Sequence, residues 1–145
     1  MVNLSVGELM STNLRTMRED DGVSVADWEM SLDEIRHILV VDGNGKLVGI
    51  VSDRDVLRAA RDASQTEVPV GRIMCREVRT VSPATKAANA VEQMLELKID
   101  ALPVVDDAGR PIGIVTSTDF LEVARWALFG IDSRAPHARH QRPLH

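Results

Sequence analysis

Twice along this chain a glycine is followed three residues later by a hydroxyl and, after three more, by a carboxylate: Gly49, Ser52 and Asp55, then Gly113, Thr116 and Asp119. A hydroxyl with an acid three residues on is first of all a helix start. The hydroxyl accepts from an orphan backbone amide, and the acid sits at the positive end of the helix. The same place is also an anion site, where free amides and the helix dipole favour phosphate. A hydroxyl there adds a phosphate contact, and a carboxylate one turn along suits the two hydroxyls of a ribose diol. Capping explains either copy alone; the recurrence after a glycine-led strand brings a nucleotide into the reading. Arg54, in the first turn after Ser52, is either a further phosphate ligand or a solvated arginine.

Other chemistries are missing. The chain has no Gly-x-x-x-x-Gly-Lys-Ser/Thr loop, no Gly-x-Gly-x-x-Gly, no His-Glu-x-x-His and no Cys-x-x-Cys. The stretch from Asp42 opens like a calcium loop, but its sixth place holds Leu47 instead of glycine and its twelfth holds Asp53, so a hairpin turn is expected. The single cysteine, Cys75, excludes an internal disulfide, suits a reducing compartment, and reads as a packed or partly exposed side chain. His137 and His140 have a helical metal spacing, but Pro136 and the lack of nearby cysteine or carboxylate argue against it, so no metal is expected. With no nucleophile–base pair either, the chain does not read as an enzyme.

Composition narrows the partners. The 145 residues make one domain of ordinary size, and 44% hydrophobic content is enough for a core. Acidic residues outnumber basic ones 22 to 17, for a net charge of −5, which argues against a nucleic-acid coat. Four aromatics, Trp28, Phe120, Trp126 and Phe129, cannot make a base-stacking platform. The start lacks a basic secretory segment and no apolar run reaches membrane length, so a soluble cytoplasmic protein is expected.

The elements that must position these groups come from a duplication. Shifting the chain by 64 positions lays Val6-Gly7 on Val70-Gly71, Met10 on Met74, Arg15-Thr16 on Arg79-Thr80, Val40-Val41-Asp42 on Val104-Val105-Asp106, and Gly49-Ile50-Val51 on Gly113-Ile114-Val115. Each copy predicts a short strand (Leu14–Met17, Val78–Val81), then a helix (Val23–Ile35, Ala87–Leu97). Val25, Trp28 and Leu32, or Ala90, Val91, Met94 and Leu97, are its expected inward positions. Two β-branched runs follow, Ile38–Val41 with Leu47–Val51 and Leu102–Val105 with Pro111–Val115, joined by Asp/Asn/Gly turns. A second helix opens at Ser52 and at Thr116. The expectation is an α+β fold of two tandem β-α-β-β-α units, residues 6–62 and 70–129, joined by a linker at 63–69 and packed about a pseudo-twofold axis as one module. Residues 130–145 form a His/Arg-rich tail, expected to be flexible.

These strings, Val40-Val41-Asp42 through Gly49-Ile50-Val51-Ser52-Asp53-Arg54-Asp55 and Leu102-Pro103-Val104-Val105-Asp106 through Gly113-Ile114-Val115-Thr116-Ser117-Thr118-Asp119, resemble a pair of CBS domains, the cystathionine-β-synthase-type regulatory module. The resemblance implies an adenosyl ligand (AMP, ADP, ATP or S-adenosylmethionine) in clefts between the units, a homodimer, and a regulated partner protein signalled to by a stand-alone module. It implies one cleft of Ile50, Ser52, Arg54 and Asp55 with Thr80, Ile99, Asp100 and Ala101. The other holds Ile114, Thr116, Thr118 and Asp119 with Thr16, Ile35, Arg36 and His37. A ligand-free dimerisation module is the rival, with Leu121, Trp126, Leu128 and Phe129 serving a dimer face or the core. Two departures from the family pattern make unequal clefts the expectation: Leu39 where the second copy has Pro103, and the acidic run Glu19-Asp20-Asp21.

Overall fold

A computed structural model describes residues 3–61 and 67–130; the His/Arg tail and most of the expected linker lie outside the described residues. The fold is α+β and contains two compact units. The first is built from Leu14–Val78 with Ala108–Arg110; the second, among the described residues, from 3–13, 79–107 and 111–130. The unit in space is therefore offset from the repeat in sequence. Each repeat begins with a segment, 6–13 or 70–77, that opens on a helical turn (α1, Val6–Leu9, or a 3-10 turn over Val70–Arg72), and this segment joins the core of the other repeat's hairpin.

In the first unit, β1 (Thr16–Met17) runs parallel to β2 (His37–Val41), which pairs antiparallel with β3 (Leu47–Ser52). Helices α2 (Val23–Asp33) and α3 (Asp53–Ala60) pack against each other. Met17, Val23, Ala26, Met30, Ile38, Val40, Val51 and Val56 make the core, completed by Val70 and Met74 from the trailing segment. In the second unit, β4 (Ala101–Val105) pairs antiparallel with β5 (Pro111–Thr116), and α4 (Ala87–Leu97) and α5 (Ser117–Phe129) flank them. Its core is Val81, Ala90, Met94, Leu102, Val104 and Val115, completed by Val6 and Leu9.

The leading strand differs between copies for a covalent reason. Leu39 donates its N–H to the Arg15 carbonyl at 3.0 Å, which extends the parallel ladder into β1. Pro103 occupies the same place in the second copy and has no N–H. Only one bridge forms there, Val81 to Val104, in which Val81 N–H donates to the Pro103 carbonyl and the Val81 carbonyl accepts from Val105 N–H.

Four of the expected inward positions prove outward, three of them on α2. Val25, Trp28 and Leu32 are exposed, Trp28 by 65%, whereas Val23, Ala26 and Met30 are buried. Both sets have the i, i+3, i+7 spacing, so α2 carries two apolar stripes, and the periodicity alone does not say which faces the sheet. On α4, Ala90 and Met94 are buried as expected, Val91 is half-buried, and Leu97 is exposed near the helix end. The helix starts are fixed by the leading segments. Val23 N–H donates to the Val68 carbonyl and Ala87 N–H to the Leu4 carbonyl, each at 2.8 Å. Glu67 adds a carboxylate to the α2 start, accepting from Ser24 N–H and from its hydroxyl.

Candidate functional site

The chain passes from β3 into α3 at Ser52 and from β5 into α5 at Thr116. Ser52 Oγ accepts from Asp55 N–H at 3.2 Å, and Asp55 Oδ2 accepts from Ser52 N–H at 2.9 Å. At the second start, Asp119 Oδ2 accepts from Thr116 N–H at 2.7 Å, with the Thr116 hydroxyl 3.4 Å away. Capping is therefore realised in both copies, and the acceptor used is Oδ2. Asp119 is buried to 5% exposure, while Asp55 is half-buried.

The glycine of the motif serves packing. A Cβ on Gly113 would collide with Met10 Sδ, and one on Gly49 with Met74 Sδ, with the Cys75 carbonyl at 3.1 Å from the latter. The methionines come from the two leading segments and close the cores beneath the strands. This close approach, not phosphate, accounts for the glycine at both positions.

The first amides of the two helices differ. In α3, Asp53 N–H donates to the Arg36 carbonyl at 2.9 Å, Arg54 N–H to Asp53 Oδ1 at 2.9 Å, and Asp55 N–H to Ser52 Oγ. All three are engaged, and the Asp53 carboxylate stands where an anion would sit; its other oxygen is 3.7 Å from Arg36 Nε. In α5, Ser117 N–H donates to the Asp100 carbonyl at 3.0 Å, but no carboxylate stands at Ser117, and Thr118 N–H has no acceptor among the described residues. The second helix start is thus the more open to a phosphate oxygen.

The segments before β2 and β4 lie directly across their own hairpins from these starts. His37 pairs with Ser52, and Ala101 with Thr116. Ile35 and Ile99 pack against their respective cores, which leaves Arg36, and Asp100 in the other copy, exposed beside the helix start. Thr16 is exposed in β1 opposite Leu39, and Thr80 is exposed just before Val81. Arg54 is exposed, and its guanidinium has no partner among the described residues. Within the first unit stand Thr16, Ile35, Arg36, His37, Ile50, Ser52, Arg54 and Asp55; within the second stand Thr80, Ile99, Asp100, Ala101, Ile114, Thr116, Thr118 and Asp119. The acidic run is tied down locally: Asp21 accepts from Arg18 N–H, and Glu19 pairs with Arg76 at 3.3 Å.

Comparison with protein families finds the CBS domain twice, over residues 6–62 and 70–125. The chain belongs to the CBS-domain family. It is 37% identical over 120 residues to a homoserine O-acetyltransferase of Methanococcoides burtonii, covering 82% of this chain and 24% of that protein. The chain therefore spans about a quarter of the length of the curated relatives it matches first. Among solved structures, a putative acetoin utilization protein from Vibrio cholerae superposes with a TM-score of 0.82 at 32% identity, over 90% of this chain and 98% of that one. The CBS domain pair of protein MJ0100, in complex with 5′-methylthioadenosine and S-adenosyl-L-methionine, gives 0.76 at 30% identity over 83% and 98%. The protein CBSX2 in complex with AMP gives 0.73 at 29% identity over 89% and 99%.

One pair of residues in the two CBS units escaped the motif reading. Ser11 exchanges backbone hydrogen bonds with Ile114, and Cys75 does the same with Ile50. Both therefore lie beside the strands that lead into Thr116 and Ser52. The signal was present, since the 64-residue shift lays Ser11 on Cys75. It was hidden because neither residue belongs to the motif. No group of three or more metal-ligating side chains occurs among the described residues, and no described helix is long and apolar enough to cross a membrane.

Proposed function

We propose that this CBS pair is a cytoplasmic, non-catalytic regulatory module that binds an adenosyl ligand and passes its occupancy to a partner protein. The observation that carries it is the twofold occurrence of a hydroxyl and a carboxylate at a helix start, each beside an exposed strand-leading segment. AMP, ADP, ATP and S-adenosylmethionine share the ribose diol and the purine; the phosphorylated ones add an anion for the amides. In this reading Ser52 and Thr116 meet phosphate, with Arg54 and Thr118 beside them, and Asp55 and Asp119 meet the diol. Thr80, Ile99, Asp100 and Ala101 complete the first site with Ile50, and Thr16, Ile35, Arg36 and His37 the second with Ile114. Support comes from relatives of about 30% identity crystallised with AMP or with S-adenosylmethionine.

Thermal denaturation against AMP, ADP, ATP, S-adenosylmethionine, NADH and cyclic dinucleotides tests this. A ligand at a hundred times its Kd adds about 2.7 kcal/mol. No shift with any of them overturns the reading. The exposed apolar stripe of Val25, Trp28 and Leu32, with Leu57 of α3, favours a second element, a homodimer formed through helix faces, as do Leu121, Leu128 and Phe129 on α5. Sedimentation of a monomer at micromolar concentration would remove the dimer and leave the ligand reading intact.

A further inference from the structure

Ser11 is a serine without employment in the fold. It is only 6% exposed, and its Oγ has no hydrogen-bond partner. A buried hydroxyl left unpaired is costly, and native structures tolerate few. Its backbone explains why it is held there: Ser11 N–H donates to the Ile114 carbonyl at 2.9 Å and its carbonyl accepts from Ile114 N–H at 3.0 Å. Residues paired in this way point their side chains to the same face of a sheet. Met10, the preceding residue, goes to the opposite face, against Gly113 and the core. Alternation along β5 returns Thr116 to the face of Ile114. The orphan hydroxyl therefore stands on the face that carries Thr116, diagonally across the strand pair.

Diagonal neighbours in an antiparallel pair are roughly 7–8 Å apart. Ser11 lies on the strand side of Thr116, opposite Ile114 and two residues back from the helix start, whereas a phosphate on the α5 amides lies at the helix side of Thr116. A ligand touching both hydroxyls must extend beyond its phosphate, and a nucleoside does so. A hydroxyl donates once and accepts through two lone pairs, which suits purine ring nitrogens and sugar hydroxyls alike.

We infer that Ser11 is a binding residue for the nucleoside part of the ligand held at Thr116 and Asp119, and that it sets this site apart from the one at Ser52. The other unit presents Cys75 at the equivalent register, exposed, with Sγ 3.9 Å from the Glu77 carbonyl. A thiol is a weak donor and acceptor, so the nucleoside gains less there. The more open α5 amides and the serine then favour one and the same site. This inference rests on the proposed adenosyl ligand.

The test compares Ser11→Ala with the parent by calorimetric titration of AMP and of ATP into the full chain, in an Asp55→Asn background that isolates the second site. Loss of one hydrogen bond predicts affinity weaker by about three- to tenfold, and by the same factor for both nucleotides, because the phosphates are not involved. The ligand-free melting temperature stays level or rises, since an unpaired polar group has been removed. Ser11→Cys, which keeps the volume, gives a smaller loss in the same direction and serves if the alanine variant folds poorly. Unchanged affinity in Ser11→Ala overturns the inference while leaving the proposed function standing. A lower ligand-free melting temperature with unchanged affinity also overturns it, assigning the hydroxyl to a structural water. A parent that binds neither nucleotide overturns both.

Discussion

Replacing Asp119 by asparagine separates the two jobs its carboxylate is proposed to do. Asp119 Oδ2 accepts from Thr116 N–H at 2.7 Å. An asparagine keeps one carbonyl oxygen for that bond and puts an NH2, which cannot accept, where the second oxygen was. The fold loses only the charge at the helix start, about 0.5 kcal/mol, or roughly 1–2 °C at 2–4 °C per kcal/mol. Asp119→Ala also orphans the Thr116 amide in a half-buried place, for about 1.5 kcal/mol in all and roughly 3–6 °C. Ligand binding follows a different order. A hydrogen bond to a charged group contributes about 1.5–3 kcal/mol, and near the upper end of that range losing the diol contact weakens binding by about 100-fold in both variants. At a ligand concentration of a hundred times the parent's Kd, the stabilisation of about 2.7 kcal/mol then falls to about 0.4 kcal/mol. The assay is thermal denaturation with and without AMP in an Asp55→Asn chain. An asparagine variant with the parent's ligand shift refutes the diol role. An alanine variant with the parent's ligand-free melting temperature refutes the cap.

Three further outcomes follow from the packing and the charges. Leu39→Pro gives the first unit the constraint of the second: it deletes the bond to the Arg15 carbonyl and a buried side chain, and urea denaturation should show a loss of about 3 kcal/mol. Gly113→Ala drives a Cβ into Met10 and should cost about 1–3 kcal/mol by the same measurement, with no added effect on affinity per folded molecule. Glu67 is held below its ordinary value of 4.5, first by the Ser24 hydroxyl and then by Ser24 N–H, and Asp42 below 3.8 by the amides of Lys46 and Asn44. Carboxylates with depressed values in the fold contribute stability that is complete above their ordinary values and is lost as pH falls through the lower folded ones. The urea midpoint should therefore fall as pH drops below about 4, and less steeply in Glu67→Gln; an equal acid slope in that variant would count against the Ser24–Glu67 cap.

What the sequence made legible was local. The hairpins, the turns at Asp42 and Asp106, and the starts at Ser52 and Thr116 depend on residues within a few positions of one another, and the hairpin strands differ from expectation by a residue or two at their ends, whereas the expected strand Val78–Val81 is reduced to one bridge at Val81. Two things were not local. The inward face of α2 could not be chosen because Val23-Ala26-Met30 and Val25-Trp28-Leu32 have the same period; only the sheet decides between them. Nor did the repeat show that 6–13 and 70–77 would leave their own hairpins, since Val6 and Val70 or Met10 and Met74 are equivalent by sequence and satisfy either core equally well. The role of the motif's glycine was not local either: its neighbour is a methionine some 100 positions away in one copy and 25 in the other. The repeat pairs Ser11 with Cys75, but that its hydroxyl is buried without a partner is a property of three dimensions.

The two helix starts differ at a residue that bears directly on the proposed phosphate contact. At the N1 position of α3 stands Asp53, whose carboxylate accepts from Arg54 N–H and lies near Arg36; at the N1 position of α5 stands Ser117, which brings no charge. An acid at N1 stabilises its helix through the same dipole and amides that a phosphate would use. The first start thus carries its own anion, and an incoming phosphate must displace it or accept its repulsion. The second carries none, so under the proposed function a phosphate there would keep the whole benefit. A ligand shifts a conformational equilibrium only by its differential affinity for the two states. Sites of unequal strength therefore fill in sequence as concentration rises, and the Asp53→Ser exchange should bring the first site's affinity for AMP towards that of the second. If titration of that variant leaves the first site unchanged, the N1 carboxylate is not what separates them.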